Sequence, residues 1–176
     1  MIIICDNREQ SPYRFDSIPY DGATVESGTL QTADYSLKGL EDKIGIERKS
    51  LDDLAGTLTS GRERFQRECE RGKGLEYFGL VIEASMEDVR RHKYRSKMKP
   101  QALLQSLFAF SIRYGLHVFW CGSREGGEYT TYSLLQKYLK KPPNSLKRFR
   151  RISAKQDKTK RESGLPFLSS VKIPFL

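Results

Sequence analysis

The sequence contains few of the residues that bind zinc or form disulfides. Its three cysteines, Cys5, Cys69 and Cys121, are widely spaced, none belongs to a C-x-x-C pair, and there are only two histidines, His92 and His117. Because structural zinc sites need four such ligands at close spacing, we do not expect one here. The odd number of cysteines also argues against a disulfide scaffold and fits a reducing compartment.

Long apolar segments are also missing. No run approaches the roughly 20 apolar residues that a membrane-spanning helix needs. The first residues lack the basic start and the long apolar stretch of a secretion signal. We therefore expect an intracellular protein, with neither a membrane partner nor a nucleotide cofactor.

Charge is plentiful but unevenly distributed along the 176 residues, whose net charge is +9. Residues 1–136 hold 19 Lys and Arg against 20 Asp and Glu, a net charge of −1. Residues 137–161 hold 11 Lys and Arg against one acid, a net charge of +10. A basic segment of this kind suits a polyanion such as DNA, although a solvated tail that aids solubility explains the charge equally well.

Pro142-Pro143 marks a boundary between the two regions. We predict a folded domain over residues 1–141 and a basic, flexible arm over residues 142–176. The densest basic cluster of the arm resembles a nuclear-localisation signal, but affinity for nucleic acid is the simpler interpretation. Its residues are Lys147, Arg148, Arg150 and Arg151.

Hydrophobic periodicity in residues 1–141 alternates between strands and helices. The pattern predicts an α/β fold with a mixed central sheet flanked by helices. Predicted strands cover Met1–Cys5, Ala23–Leu30, Tyr35–Leu37, Ile44–Glu47, Tyr77–Ala84 and Leu116–Cys121. Predicted helices follow Ser50 and cover Arg62–Arg71, Ser85–Arg91, Gln101–Tyr114 and Glu128–Lys140.

The segment Glu47-Arg48-Lys49 stands at the end of an apolar predicted strand. Side chains at i and i+2 of a strand point to the same face, so Glu47 and Lys49 should project together. Asp34 precedes a short strand that should form a hairpin with Ile44–Glu47, which would bring Asp34 close to Glu47. Phosphodiester cleavage needs a divalent metal held by carboxylates, with a cation near the developing charge. An acid, a hairpin and then E-x-K is the arrangement of restriction-endonuclease-like nucleases.

A closer resemblance extends over about residues 2–121. Asp34, Glu47-Arg48-Lys49 and Asp53 resemble the G-D-x(n)-E-R-K-x-x-x-D motif of XPF-type structure-specific endonucleases. Three further segments agree in order and spacing with that family. They are Asp6 with Arg8-Glu9, similar to V-D-x-R-E; Ser60-Gly61-Arg62 with Gln66, similar to S-x-x-x-G-R-x-x-x-Q in spacing from the glycine onward; and Leu80-Val81-Ile82-Glu83, similar to L-L-I-E.

The resemblance implies a role for each matching residue. Asp34 and Glu47 would be the principal ligands of Mg²⁺ or Mn²⁺, helped by the Arg48 backbone carbonyl. Lys49 would position the attacking water or stabilise charge. Asp6 would be a further acid at the metal, and Asp53 would support the centre. Arg8, Glu9, Arg62 and Gln66 would shape the site or contact DNA. The family cuts DNA near branch points, flaps or junctions and often forms dimers, so a homodimer is also expected.

Two features depart from the family pattern. Ala33 stands where the motif has glycine, and alanine disfavours positive φ, so the entry to the hairpin is expected to differ slightly. The chain also has no helix-hairpin-helix segment after residue 141, which weakens any prediction of structure selectivity. The resemblance also leaves an alternative to an active endonuclease, a catalytically inactive DNA-binding or scaffold module, since some relatives lose activity while they keep the fold.

Several matching residues also have a purely structural interpretation. Asp53 is suitably placed to cap the helix that follows Ser50. Glu83 is as consistent with a plain exposed residue as with a site acid. The basic stretch Arg90–Lys99 could contact DNA or simply be solvated. The aromatic residues between Phe108 and Trp120 are better explained by a core or a dimer face than by base stacking.

Overall fold

A computed structural model describes residues 1–16, 20 and 22–140 of the chain. The predicted domain boundary and the predicted basic arm, including Lys147, Arg148, Arg150 and Arg151, lie outside these residues. The strands are β1 (Ile2–Asp6), β2 (Thr24–Gly28), β3 (Tyr35–Leu37), β4 (Ile44–Lys49), β5 (Tyr77–Ile82) and β6 (His117–Trp120). The helices are α1 (Leu51–Thr57), α2 (Arg62–Gly72), α3 (Met86–Arg90), α4 (Pro100–Tyr114) and α5 (Arg124–Leu139).

The strands form one mixed sheet in the order β2-β1-β3-β4-β5-β6. Strand β3 pairs antiparallel with both β1 and β4, whereas the other neighbours pair in parallel. The strands other than β3 therefore run in the same direction, and their carboxyl ends meet at one edge of the sheet. The residue that leads into β3, Asp34, lies at this same edge. Ligand and catalytic sites of open α/β sheets commonly form there.

Each face of the sheet is covered by its own apolar cluster. On one face, α1, α2 and α4 pack side chains such as Leu54, Phe65 and Leu107 against β5. On the other face, α5 and the aromatic loop after β1 cover β3 and β4, with Tyr13 and Leu135 among the buried residues. The predicted mixed sheet flanked by helices is confirmed. None of the helices in the described part of the chain is long and apolar enough to cross a membrane.

Local sequence explains where several helices begin and end. Ser50 caps α1 by accepting a hydrogen bond from Asp53 N, and Ser85 forms a capping box with Asp88 at the start of α3. Gly115 ends α4 in the left-handed conformation, with φ of 65°. Ser50 is therefore the cap of α1, and the Asp53 carboxylate accepts a hydrogen bond from the Ser50 hydroxyl at 2.6 Å.

The prediction that the last helix begins at Glu128 is wrong, because α5 already begins at Arg124. Ser123 Oγ accepts a hydrogen bond from Gly126 N and provides the start. Glycine is normally unfavourable inside a helix. Here Gly127 is required by packing, since a Cβ at that position would lie 2.2 Å from the Tyr13 hydroxyl.

Candidate active site

At its carboxyl end, strand β4 presents charged side chains on both of its faces. Glu47 and Lys49 project to one side, as predicted, and the Lys49 ammonium donates a hydrogen bond to Glu47 Oε1. Both side chains are buried, with residue exposures of 4% and 9%. Arg48 projects to the opposite side and binds Glu83. The alternation follows from the two-residue period of an extended strand.

Backbone pairing holds Asp34 beside Glu47. Asp34 N donates to Ile46 O at 3.1 Å, and Asp34 O accepts from Asp6 N at 2.8 Å. The Asp34 carboxylate accepts a further bond from Arg48 N at 2.7 Å through Oδ2. The predicted hairpin between β3 and β4 is confirmed, and it places this carboxylate at the end of β4. Ala33 enters this segment with φ of 73°, a conformation that favours glycine.

Carboxyl groups are concentrated on the Glu47 side of β4. Burial and the neighbouring charge of Glu47 raise the pKa of the Asp34 carboxyl to about 8. Burial and Glu47 also raise the pKa of Glu68, on α2, to about 8. Burial disfavours the Lys49 ammonium, but the charge and hydrogen bond of Glu47 outweigh it and raise the Lys49 pKa above its ordinary value. One ammonium therefore faces three carboxyl groups.

Glu47 Oε2 is the best indication of what this pocket binds. This oxygen is buried and has no hydrogen-bond partner. A buried carboxylate oxygen without a partner is costly, and the cost disappears when a cation binds. Among the described residues, no group of three or more His, Cys, Asp or Glu side chains is arranged to hold a metal ion. The oxygen donors of Asp34 and Glu47 nevertheless suit Mg²⁺, which typically takes one or two carboxylates and keeps several waters.

On the opposite side of β4, Arg48 belongs to a saturated network. Its guanidinium donates to both Glu83 oxygens at 2.8 Å and to Glu9 at 3.3 Å, and it lies 5.7 Å from the Tyr13 ring centroid. Arg124 binds Glu83 as well, at 3.3 Å. Glu83, left open between an exposed residue and a site acid, is buried in this network. The Arg48 side chain thus supports the strand end, while its backbone N–H orients Asp34.

Asp6 is at the same edge of the sheet, but its carboxylate is fully engaged. It accepts three hydrogen bonds from Arg8, through the backbone N–H and the guanidinium, and a fourth from Leu30 N at 2.7 Å. These bonds lower the pKa of Asp6 even though burial acts to raise it. In this structure Asp6 fixes the loop after β1. Metal binding by Asp6 stays a prediction, and it would require some of these bonds to break.

The other predicted site residues lie in different surroundings. Asp53 lines an open surface cavity together with Lys49 and Arg64. The Arg62 guanidinium lies 5.1 Å from the Phe110 ring centroid and 3.4 Å from Ser106 Oγ, so it packs on α4. Gln66 lines a separate shallow groove beside Tyr114. DNA contact by Arg8, Arg62 and Gln66 stays a prediction.

Glu68 is the site residue that the sequence analysis missed. Its helix contains many charged residues, and none of the matched motif segments includes this position. A sequence pattern could have found it, however. Phe65, Cys69 and Gly72 are the buried residues of α2, and Glu68 completes their i, i+3, i+4, i+7 stripe. An acid within an apolar stripe is a candidate for a polar site.

Comparisons with known proteins agree with this geometry. The family model of the ERCC4 domain matches residues 5–133. A structure of XPF from Aeropyrum pernix has a TM-score of 0.63 at 22% identity, over 89% of this chain and 73% of that chain. A second, of XPF from Aeropyrum pernix in complex with DNA, has a TM-score of 0.62 at 24% identity, over 79% and 65%. No curated protein sequence matches. The predicted XPF-type resemblance is confirmed, and the chain belongs to the ERCC4 domain family.

Proposed function

We propose that this chain is a metal-dependent endonuclease that hydrolyses phosphodiester bonds in DNA, at branches, flaps or junctions. Membership of the ERCC4 domain family supports a nuclease. The observation that carries the metal dependence is the buried, unpartnered Oε2 of Glu47, in a pocket shared with Asp34 and Lys49. Metal-dependent cleavage of phosphodiesters uses this combination of oxygen ligands and a fixed cation.

Asp34 and Glu47 would hold Mg²⁺ or Mn²⁺ in this proposal. Asp34 Oδ2 accepts from Arg48 N, which fixes the direction of the carboxylate and leaves Oδ1 available as a ligand. Glu47 Oε1 accepts from Lys49, which leaves Oε2 available. A bound divalent cation would polarise the phosphoryl oxygen and lower the pKa of a bound water.

Lys49 would act on the phosphate and on the attacking water. Its ammonium remains charged because Glu47 raises its pKa, so it can donate to a phosphate oxygen or orient water. Lys49 also borders the open cavity that Asp53 and Arg64 line, and this cavity gives a polyanion access to the pocket. The Arg48 network on the reverse side keeps the strand end rigid. A rigid support of this kind preserves the alignment of catalytic groups.

Cleavage of a substrate panel with Mg²⁺ tests this proposal. The full chain should cut at least one of duplex, flap, fork, junction and single-stranded DNA. Asp34→Ala and Glu47→Ala should each lower the cleavage rate by at least about 100-fold, the upper range for disturbed metal sites. Asp42→Ala, which removes an exposed carboxylate that pairs with Lys43, serves as the matched control. Persistent cleavage by both site variants would overturn the assignment.

A metal titration separates this function from the alternative, an inactive DNA-binding or scaffold module of the same fold. An active site of the proposed kind should bind Mn²⁺ more tightly than its Asp34→Ala variant does. Equal Mn²⁺ affinity of the two proteins, together with intact DNA binding and no cleavage, would favour the inactive module.

DNA affinity should depend on the basic arm, residues 142–176. Each Lys or Arg that contacts a phosphate releases counterions, so the logarithm of the binding constant falls with the logarithm of the salt concentration. A chain ending at residue 141 should bind DNA more weakly and with a smaller salt slope. Fluorescence anisotropy at several salt concentrations measures both quantities. An unchanged slope would mean that the arm does not contact the DNA backbone.

A further inference from the structure

A strongly basic segment, residues 90–99, follows strand β5. Six of its ten residues are Lys or Arg, and none is an acid. It includes the end of α3 and runs up to the start of α4. The carboxyl end of β5 lies beside that of β4, where Ile82 pairs with Lys49, and β5 leads directly into α3. The basic segment therefore begins at the same edge of the sheet as the candidate active site.

Contacts within the basic segment hold its backbone in one conformation. The His92 ring donates to Ser96 O at 2.8 Å and stacks on the Tyr94 ring, with centroids 4.3 Å apart. The Tyr94 hydroxyl donates to Met98 O at 2.7 Å. Tyr94 is buried and belongs to the core, so its ring is not offered to bases. All six cationic residues of the segment are exposed, which makes it an ordered surface of positive charge.

Asp52 fixes the basic segment to the start of α1, beside the candidate active site. Asp52 Oδ1 accepts from Arg95 N at 2.7 Å, and Asp52 Oδ2 accepts from Arg95 Nε at 3.0 Å. Asp52 follows Lys49 by three positions, and both residues line the open surface cavity described above. The Arg95 guanidinium is therefore at the rim of that cavity. A polyanion that lies along the basic segment would reach the cavity in which Lys49 is found.

The positive charge of the basic segment is only partly balanced by acids. Three carboxylates pair with four of its six cations. The pairs are Glu87 with Arg90 and Arg91, Asp88 with Lys93, and Asp52 with Arg95. Lys97 and Lys99 have no ion-pair partner within the part of the chain that the structure describes. Both ammonium groups can therefore bind a phosphate without breaking an existing ion pair.

We infer that the basic segment binds the phosphate backbone of DNA, with Lys97 and Lys99 as its principal phosphate contacts. The inference rests on the proposed function only in taking DNA as the partner, and it adds the surface on which that DNA lies. Phosphate contacts fix the position of a protein on DNA but carry no sequence information. Because Tyr94 is buried, the segment contributes affinity and orientation rather than base recognition. It is separate in the chain from the basic arm.

DNA binding by the full chain, measured by fluorescence anisotropy at several salt concentrations, tests the inference. EDTA is present so that binding is measured without cleavage. Each phosphate contact to duplex DNA contributes about 0.9 to the slope of log K against log salt concentration. Lys97→Gln/Lys99→Gln should therefore lower the slope by about 1–2 and weaken binding by about 10-fold or more near 0.1 M salt. Two duplexes of equal length and unrelated sequence should lose affinity by the same factor.

The matched control is Arg113→Gln/Lys137→Gln, which removes two charges from exposed positions near the ends of α4 and α5. This variant should keep the wild-type slope. An unchanged slope for Lys97→Gln/Lys99→Gln would mean that the segment is only solvated, and equal decreases in both double variants would reflect net charge alone. Either result overturns the inference, as does a loss of affinity that differs between the two duplexes.

Failure of this inference is distinguishable from failure of the proposed function. The substrate panel with Asp34→Ala and Glu47→Ala tests cleavage, whereas the anisotropy measurement requires none. A chain that cuts none of the substrates but has a smaller slope in Lys97→Gln/Lys99→Gln would be an inactive module with this DNA-binding surface. Should the double variant fail to fold, Lys97→Gln replaces it. Its slope should fall by about 0.9, and an unchanged slope in that folded variant overturns the inference.

Discussion

Glu47 and Arg48 are adjacent on β4, yet their surroundings differ in how charge is balanced. On the Arg48 side, two acids, Glu9 and Glu83, alternate with two guanidinium groups, and both Glu83 oxygens are hydrogen-bonded. On the Glu47 side, three carboxyl groups face one ammonium, and Glu47 Oε2 has no partner.

This difference distinguishes the side of β4 that stabilises the strand end from the side that carries the candidate metal ligands. A closed network of ion pairs needs no ligand and gains rigidity from its own bonds. A pocket with more carboxyl groups than cations retains protons when it is empty, and a bound cation can replace them. Strongly shifted pKa values within such a pocket are typical of functional sites. These contrasts support the proposal that the Glu47 side performs the chemistry and that the Arg48 side supports it.

The largest effect on stability is expected from Arg48→Met, which removes the cation that binds both Glu83 and Glu9. The substitution leaves Glu83 and Glu9 buried with too little positive charge, and removal of one partner from a buried ion pair costs about 3–5 kcal/mol. Urea unfolding of the wild type and the variant at neutral pH measures this loss.

Arg124→Met is the matched control, because it also removes a cation from Glu83 but at a side chain that is 41% exposed. Exposed ion pairs contribute about 1 kcal/mol or less. Equal losses for Arg48→Met and Arg124→Met would mean that the Arg48 network is no more important than a surface pair.

An effect that is smaller per pH unit is expected from pH, which acts on the Glu47 side of β4. The pKa of Asp34 and that of Glu68 are raised to about 8 in the folded, metal-free protein. In the unfolded chain such carboxyls titrate near pH 4. Between these values the folded state binds more protons, so the free energy of unfolding falls as pH rises, by about 1.4 kcal/mol per proton and pH unit. Urea unfolding in EDTA between about pH 5 and about pH 8 measures the fall.

Two comparisons assign that pH dependence to the pocket. The double variant Asp34→Asn/Glu68→Gln cannot ionise at these positions, so its stability should change much less over the same range. Saturating Mg²⁺ should also oppose the fall, since metal binding favours ionised carboxylates. A fall of the same size in the double variant would place its origin outside the pocket.

Sequence alone predicted the part of the site that depends on local periodicity. The two-residue period of β4 placed Glu47 with Lys49, and the hairpin placed Asp34 beside them. These relations involve residues at most 15 positions apart, so strand and turn geometry is sufficient to predict them.

The rest depended on long-range packing. Arg48 binds Glu83 and Glu9, which lie 35 and 39 positions away. Motif matches pointed to both acids, but no local pattern pairs either of them with Arg48. Glu68 reaches the pocket only because α2 packs its Phe65 stripe against the sheet. Asp6 matched a motif position, yet Arg8 and Leu30 N occupy its oxygens, which only the folded loop makes visible.

The smallest effect on stability is expected from Ala33→Gly. This substitution tests whether the backbone is strained next to the carboxyl groups on the Glu47 side. Ala33 has φ of 73° immediately before Asp34. An L residue in this conformation costs about 1–2 kcal/mol, and glycine recovers most of it while losing some to unfolded-state entropy. Ala33→Gly should therefore stabilise the protein by about 0.5–1 kcal/mol, a rise in Tm of about 1–4 °C.

Ala55→Gly provides the matched comparison, because Ala55 lies within α1, where alanine is the favoured residue. The same exchange should there destabilise the protein by about 1 kcal/mol. Opposite signs for the two variants in thermal unfolding would locate strain at the entry to β3, next to the Asp34 carboxylate. Since strain persists where the surrounding structure enforces it, that result would link the backbone of Ala33 to the placement of a metal ligand. Destabilisation by both variants would mean that the Ala33 methyl contributes more through packing than its conformation costs.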